Sequence, residues 1–559
     1  MGKKIAAAAM AIAFLIAGCS AGNGKLSYEE AVRAAESLAE RVKVEQAGQT
    51  AFSAELDDEE SESAAPMPSI GSYPLSVLGL GRIDVEILSS TEKGIDNLGR
   101  ITTDSWLYQM ARQFNMQKYK VNDKTVSISL RPMPSGIGAD YICSQTYTPD
   151  AYTPSCMLWK DVLASSGINA VVEEERLVGN TSGLIIKSSV YYSLFEKHGA
   201  IRLSDIIDAV IGKEITFGYT NPFTSSTGLS NLVTILSELD PDDPTSQKAA
   251  SKLAEFQSMV ESSAMTTSEL VNSAIAGELD CLSVSYQSYV HYSAFEDYIY
   301  MPFGSRQDSP MFTFGSLSDE KHEALRLFID YCKSPESQAA AKEEYGFNYY
   351  DEYIGEPSNV SGEDVSKALS MWKEVKDTAR PLVAVFIVDE SSNMQGISGI
   401  ELIRAMKNAG KYISSSTYFG MASFSTNVKI HLPIAKYDRV QKAKFAAAAD
   451  SISAYGSTSV YNAIAVGLKM LLDAKAELPE SRIMMIVLSE GTINKGSKHY
   501  SLKDIEPIVS ALGVPVHVIG YNAHSNELKE LAAINNATYI DAHLGDIIYQ
   551  LQSVFNAKL

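Results

Sequence analysis

Apolar residues change their spacing several times along this chain, and the changes divide it. From Leu26 to Val44, Ala31, Ala35, Leu38 and Val42 recur near a helical period and Ser27 stands where a cap belongs, so one amphipathic helix is predicted. Between Pro74 and Tyr353 short apolar runs alternate with helical stretches. Strands are predicted at Asp84–Ile87, Val126–Leu130, Gly183–Ile186, Ile215–Tyr219, Leu282–Ser285 and Tyr298–Met301, an α/β alternation. A helix over Glu363–Lys376 follows, with Leu369 and Trp372 on one face. Pro381–Val388 is then apolar without interruption, as a strand covered on both faces of a parallel sheet must be. Strands at Tyr418–Phe424, Ile483–Leu488 and Val514–Ile519 continue a doubly wound α/β pattern.

The start of the chain follows a different rule. Lys3 and Lys4 precede an apolar run, Ile5–Ala17, that is too short to span a bilayer comfortably and reads as a signal peptide over residues 1–18. Its end, Leu15-Ile16-Ala17-Gly18-Cys19, resembles the bacterial lipobox. That resemblance implies lipidation of Cys19, with the mature protein held by acyl chains on the outer face of a bacterial membrane and otherwise in water. An ordinary signal peptide with an incidental cysteine is the alternative. Residues 45–72 turn acidic and small, including Asp57-Asp58-Glu59-Glu60-Ser61-Glu62, and cannot bury enough apolar surface to fold alone. Residues 19–73 therefore read as a lipidated acidic tether with a short helix, lifting the domains off the membrane.

A chain of 559 residues is too long for one ordinary core. Beyond the tether the pattern gives a two-lobed domain over 74–353, a connecting helix and linker over 354–380, and a further domain over 381–559. The formal net charge of −21 argues against nucleic acid, because phosphate binding needs a clustered basic surface. Four cysteines besides Cys19 permit disulfides in an exported chain; Cys143 with Cys156, separated by a loop rich in Thr, Pro and Tyr, is the pair to expect. Their spacing matches no zinc pattern.

Polar clusters recur beside the strands of the middle region: Ser135-Gly136, Pro149 to Ser155, Asn180 to Gly183, Thr220 to Gly228, Val284 to Gln287, and the closing stretch from Ser334 to Asn348. On these the region resembles an extracellular solute-binding protein of the type 2 periplasmic-binding fold, in two lobes. The resemblance implies a small-molecule or oxyanion ligand between the lobes, held by Ser135, Gly136, Thr153, Ser155, Asn180, Thr181, Ser225, Ser226, Thr227 and Tyr286. It also implies closure about crossover strands near Gly183 and Met301. Hydroxyls and a glycine ahead of the apolar helix Leu229–Leu239 would leave backbone N–H groups free at a positive helix end. Taken one at a time, such clusters are also what helix caps and turns look like. Arg131 and Arg306 are the only evident selecting charges.

The last region resembles the von Willebrand factor type A domain. Asp389-Glu390-Ser391-Ser392-Asn393 stands at the family's Asp-x-Ser-x-Ser metal motif, Gly456 to Ile464 at the loop bearing its threonine, and Leu488-Ser489-Glu490-Gly491 at the loop of its second aspartate. The resemblance implies a metal-ion-dependent adhesion site for Mg²⁺ or Mn²⁺ built from Asp389, Ser391, Asn393, Thr458 and Glu490, with water positions open to an acidic residue of a partner. Two positions depart from the family. Asn393 offers a carbonyl oxygen that either coordinates or forces the loop apart, and Glu490 is one methylene longer than aspartate. Otherwise the domain is a degenerate one that binds protein, or packs on its neighbour, without metal.

No His-Glu-x-x-His, nucleophile elbow or Walker-type loop occurs, so binding is expected and catalysis is not. Two functions follow. One is an envelope receptor that takes a small solute and contacts an envelope or surface protein through the type A domain. The other is an adhesion or scaffold protein whose solute-binding fold has lost its ligand.

Overall fold

The computed structural model describes residues 26–46, 67, 69–93, 105–260, 262–264, 270, 274, 279–315, 317–356, 359–379, 381–392, 397–410, 413–453, 455–489, 500–521, 525–535, 537–542, 551 and 554. The expected signal peptide, Cys19 and most of the expected acidic tether lie outside them. The chain forms two compact units. One combines the N-terminal segment with the chain from Pro381 to Phe555; the other holds the chain from Ala64 to Arg380.

The first described element is the helix Tyr28–Ala39. Ser27 caps it as expected, in a capping box with Glu30 whose carboxylate accepts from the Ser27 N–H at 2.9 Å. The helix stops at Ala39, short of the predicted Val44, and the chain turns into a strand, β1 (Val44–Gln46).

In the unit that follows, β2 (Ile83–Ser89), β3 (Lys120–Val121), β4 (Lys124–Pro132), β5 (Ala151–Thr153) and β6 (Val171–Glu174) belong to one lobe. Next, β7 (Thr181–Lys187), β8 (Phe217–Thr220), β9 (Ser262–Ala264), β10 (Cys281–Ser285) and β11 (Tyr298–Arg306) make the other, before β12 (Met311–Thr313) returns to the first. The sheet orders are β3-β4-β2-β5-β12-β6 and β11-β7-β10-β8-β9. The first lobe closes over Val85, Ile87, Phe114, Ile128 and Phe328, the second over Ile185, Leu282, Val284 and Phe295. The chain crosses between lobes just outside the strands at Gly183 and Met301. The two crossings run side by side, with Gln307 N–H donating to Asn180 O at 3.0 Å. The helix Glu363–Ala379 belongs to this unit too: Trp372 is buried and its indole N–H donates to the Tyr219 hydroxyl.

The expected Cys143–Cys156 bridge is not formed. Cys156 is buried, while Cys143 lies half-buried at the end of the helix Ser135–Cys143 with its thiol against Ser166. A lobe with its own apolar core does not need a staple.

The other unit is built on a single sheet. β13 (Leu382–Asp389), β14 (Tyr418–Phe424), β15 (Val428–Lys436), β16 (Arg482–Ser489), β17 (Val516–Tyr521) and β18 (Tyr539–Ala542) take the order β15-β14-β13-β16-β17-β18, and β1 adds itself beyond β15. All neighbours are parallel except β14 and β15. Every residue of β13 is buried, as its unbroken apolar run requires. Helices cover both faces, which makes the sheet doubly wound and leaves its strand ends to carry chemistry.

Candidate functional site

Asp389 closes β13, the central strand, and both of its carboxylate oxygens are held. Ser391 N–H donates to Oδ1 at 2.9 Å and the Ser489 hydroxyl, from the end of β16, donates to Oδ2 at 2.8 Å. Ser392 N–H reaches across to Gly456 O at 3.1 Å, which ties this turn to the loop bearing Thr458. Gly456 permits that approach with φ +77, and a Cβ there would stand 2.6 Å from Thr426 Oγ1. Ser391 and Thr458 are buried, yet Ser391 Oγ and Thr458 Oγ1 have no hydrogen-bond partner. Buried hydroxyls without partners are uncommon, since each costs about 1–3 kcal/mol. One carboxylate and two unsatisfied hydroxyls suit a hard cation, for which oxygen donors are preferred. Among the described residues no group of three His, Cys, Asp or Glu could hold a metal, so the hydroxyls would be needed. Asn393 and Glu490 lie outside the described residues.

Beside Asp389 a second carboxylate points the other way. Glu390 accepts from the Ser423 hydroxyl at 2.5 Å and from Ser453 N–H at 2.9 Å, and stands 3.8 Å from the fully buried His431 ring. His431 in turn lies 2.7 Å from Ser423 Oγ and 3.0 Å from Ser451 Oγ. Burial pushes the Glu390 carboxyl up, but His431, Ser423 and the Ser453 amide outweigh it and hold it below its ordinary value. Glu390 thus pins the turn from within the fold while Asp389 faces the neighbouring loops.

In the two-lobed unit the ten expected ligand residues fall into three groups. Ser135, Gly136, Ser155, Ser225 and Ser226 gather where the lobes touch. Ser226 Oγ donates to Ser135 Oγ at 3.1 Å, Ser155 N–H to Ser135 Oγ at 3.4 Å, and Trp159 Nε1 to Ser226 Oγ at 2.8 Å. Gly136 N–H donates to Thr224 O at 3.0 Å; a Cβ on Gly136 would stand 1.9 Å from Phe223 O. Ser225 caps the helix Ser226–Leu239, accepting from Gly228 N–H at 3.4 Å and from the Thr220 hydroxyl at 2.8 Å. The helix end expected to cradle an anion is therefore met by the other lobe.

Thr153 stands apart, held by Lys93. This ammonium is fully buried and donates to Thr153 O at 2.9 Å, Thr153 Oγ1 at 3.1 Å and Pro154 O at 3.2 Å. The third group surrounds the crossings. Asn180 Oδ1 accepts from Thr181 N–H and Gln287 N–H, and the buried Gln307 amide donates to Ser182 Oγ at 2.7 Å and Thr227 Oγ1 at 2.9 Å. Tyr286 joins a cluster of tyrosine rings, with centroids 5.0 Å from Tyr300, 4.9 Å from Tyr349 and 5.1 Å from Tyr350. Tyr350 adopts φ 55, costly for a bulky side chain.

Both selecting arginines are engaged by the chain itself. Arg131 binds Glu86 at 2.7 Å, while Arg306 grips Asp308 and donates to Tyr350 O and Tyr353 O. Residue spacing did not single out Ser489, Glu390, Lys93 or Gln307. Ser489 carried a usable signal, since it precedes Glu490 at a strand end; Lys93 and Gln307 carried none, because their partners are distant in sequence.

Comparison with known proteins places families on both units. Residues 101–348 match the model for bacterial extracellular solute-binding proteins, and residues 384–555 match that for the von Willebrand factor type A domain. The chain thus carries a solute-binding-protein-like domain of the periplasmic-binding fold and a type A domain. No curated protein matches it. Among solved structures, iron-bound HitA from Pseudomonas aeruginosa is similar at 14% identity over 52% of this chain and 99% of that one, with a TM-score of 0.38. The substrate binding protein of the ABC transporter from Agrobacterium tumefaciens is 12% identical over 54% of this chain and 100% of its own, TM-score 0.37. A von Willebrand factor type A protein from Catenulispora acidiphila is 16% identical over 32% of this chain, TM-score 0.28, and the match spans 43% of that protein's length.

Proposed function

We propose that this chain is an exported binding protein of a bacterial envelope, anchored through Cys19. Its type A domain engages an envelope or surface protein with the help of a divalent cation, and its two-lobed domain takes a small solute or oxyanion. The family of the two-lobed domain is extracellular, and Leu15 to Cys19 resemble a lipobox, which together support export and anchoring. Nothing in either domain family calls for catalysis, and the reading is one of binding.

The observation that carries it is the pair of buried, unsatisfied hydroxyls, Ser391 Oγ and Thr458 Oγ1, in loops tied together beside the Asp389 carboxylate. Mg²⁺ or Mn²⁺ would be held by Asp389, Ser391 and Thr458, with Asn393 and Glu490 as the remaining candidates. When bound, such a cation offers an open coordination position to an acidic side chain of a partner. The chain's own contribution is to keep Asp389 oriented through Ser489 and the Ser391 amide.

Thermal unfolding of the unlipidated chain, with Mg²⁺ or Mn²⁺ and with chelator, tests this. Metal should raise the type A transition, since a ligand of the folded state alone must stabilise it, and Asp389→Ala should remove the effect. Curves that coincide with and without metal would withdraw the cation while leaving the fold.

The scaffold alternative has its own support in the direct seam between lobes, Gly136 N–H to Thr224 O, which fills the place expected for an anion. Mass spectrometry of whatever co-purifies with the unlipidated chain separates the two readings. A stoichiometric metabolite supports the receptor; saturable stabilisation by no solute in a screen supports the scaffold.

A further inference from the structure

The segment read from its composition as the start of a tether is deeply embedded. Ala31 and Ala35 are fully buried, in one core with Val460, Ile464, Leu468, Ile505 and Val509. Alanine at these positions lets the helix Tyr28–Ala39 lie close to the helices Val460–Glu477 and Leu502–Leu512. The Tyr500 hydroxyl donates to Leu38 O at 2.9 Å. Beyond the helix, β1 runs parallel to β15 with Val44 opposite Val428 and Gln46 opposite Ile430, and Asn427 Nδ2 donates to Glu45 Oε1 at 2.9 Å. The added strand covers the edge that β15 would otherwise present to solvent. Yet the type A family match begins only at residue 384.

We infer that residues 26–46 are the first helix and strand of the type A domain, that the solute-binding-like domain is an insertion within it, and that the type A domain is the unit next to the membrane. The last step rests on the proposed lipidation of Cys19. Leu26 follows Cys19 by seven positions, which at full extension reach at most roughly 25 Å. The acidic stretch then joins the two domains and does not separate them from the lipid. A type A domain on so short a lead meets partners at that surface, so the partner it fits is a protein of the same membrane.

Two measurements on the full chain decide this. All three tryptophans, Trp106, Trp159 and Trp372, lie in the solute-binding-like domain, so their fluorescence reports its unfolding alone while calorimetry records both. Ala35→Asp should lower the calorimetric transition that tryptophan does not follow by roughly 5 °C or more, and leave the tryptophan midpoint in place. Val42→Ala, a milder change in the same core, should move it the same way by less. If both variants leave that transition unmoved, the segment is not part of the domain.

For the second, a dye is placed at the exposed Val440→Cys, in a Cys143→Ser background where Cys156, Cys281 and Cys332 remain buried. Energy transfer is read to headgroup-labelled lipid in vesicles of phosphatidylethanolamine and phosphatidylglycerol carrying the lipidated chain. A roughly 20-residue Gly/Ser insert adds on the order of 25 Å of reach. Placed between Cys19 and Leu26 it should lower transfer several-fold, and placed after Asp58 it should leave transfer unchanged. The reverse result would overturn the order of the domains. A chain that stays out of the vesicle fraction with Cys19 intact would instead overturn the anchor, while calorimetry still judges the insertion.

Discussion

Ser489 hands its hydroxyl hydrogen to Asp389 Oδ2 across 2.8 Å, joining the ends of the neighbouring parallel strands β16 and β13. With Ser391 N–H on the other oxygen, the carboxylate is fixed in orientation before any ligand arrives. Groups that orient a metal ligand are commonly worth 10–100-fold in affinity. At the proposed cation site, Ser489→Ala should therefore weaken Mg²⁺ binding by about that factor, measured by calorimetric titration, while the chain still folds. An unchanged affinity would detach Ser489 from the site.

Gly136 admits no side chain without movement, because a Cβ would stand 1.9 Å from the carbonyl oxygen of Phe223 in the opposite lobe. Gly136→Ala should cost about 1–3 kcal/mol in urea unfolding followed by tryptophan fluorescence. Trp159 sits at the same seam through Ser226, so its emission should also shift in the native state. Native emission identical to that of the unaltered chain would mean the lobes do not meet there in solution.

Lys93 serves two carbonyls and a hydroxyl from one buried position. Lys93→Met keeps the stem and strips the donors that Thr153 O, Thr153 Oγ1 and Pro154 O accept from, although Thr153 O keeps the Ser90 N–H at 3.2 Å. We expect a loss of about 2–4 kcal/mol in the stability of the two-lobed domain. Loss below 1 kcal/mol would place the ammonium in water.

Asp280 gives a pH signature. Burial pushes its carboxyl up, but the Thr216 N–H, the Lys187 ammonium and the Thr216 hydroxyl outweigh burial and hold it below the usual range. A carboxyl lowered on folding contributes stability that is complete above its unfolded value, near pH 4, and fades as pH falls through the folded one. The tryptophan-monitored midpoint should thus drop in acid, and drop less in Asp280→Asn. Equal acid sensitivity of the two proteins would assign the effect to other groups.

Much of the architecture was readable from spacing because it depends on burial. The unbroken run Pro381–Val388 could only be a central strand, and the predicted Tyr418–Phe424 coincides with β14. Capping was readable where it is local, as at Ser27 with Glu30. What spacing does not carry is where an element goes once formed: an amphipathic helix from residue 28 looks the same on a tether and in a core whose other half begins only at Val383. The candidate sites divide the same way. Asp389 ends β13, and strand order brings together the loops that carry Ser391 and Thr458. Ser135, Gly136 and Ser226 do meet, but they meet each other, because the hydrogen-bonding capacity that marks a ligand loop equally suits two loops in contact.

The junctions of the inserted domain have a consequence for how such a chain can change. Both of its ends leave from the same host, so swapping, shortening or removing it requires no rethreading of the seven-stranded sheet. The two-lobed domain is in that sense a replaceable cartridge, one that a chain could exchange while keeping its type A sheet intact.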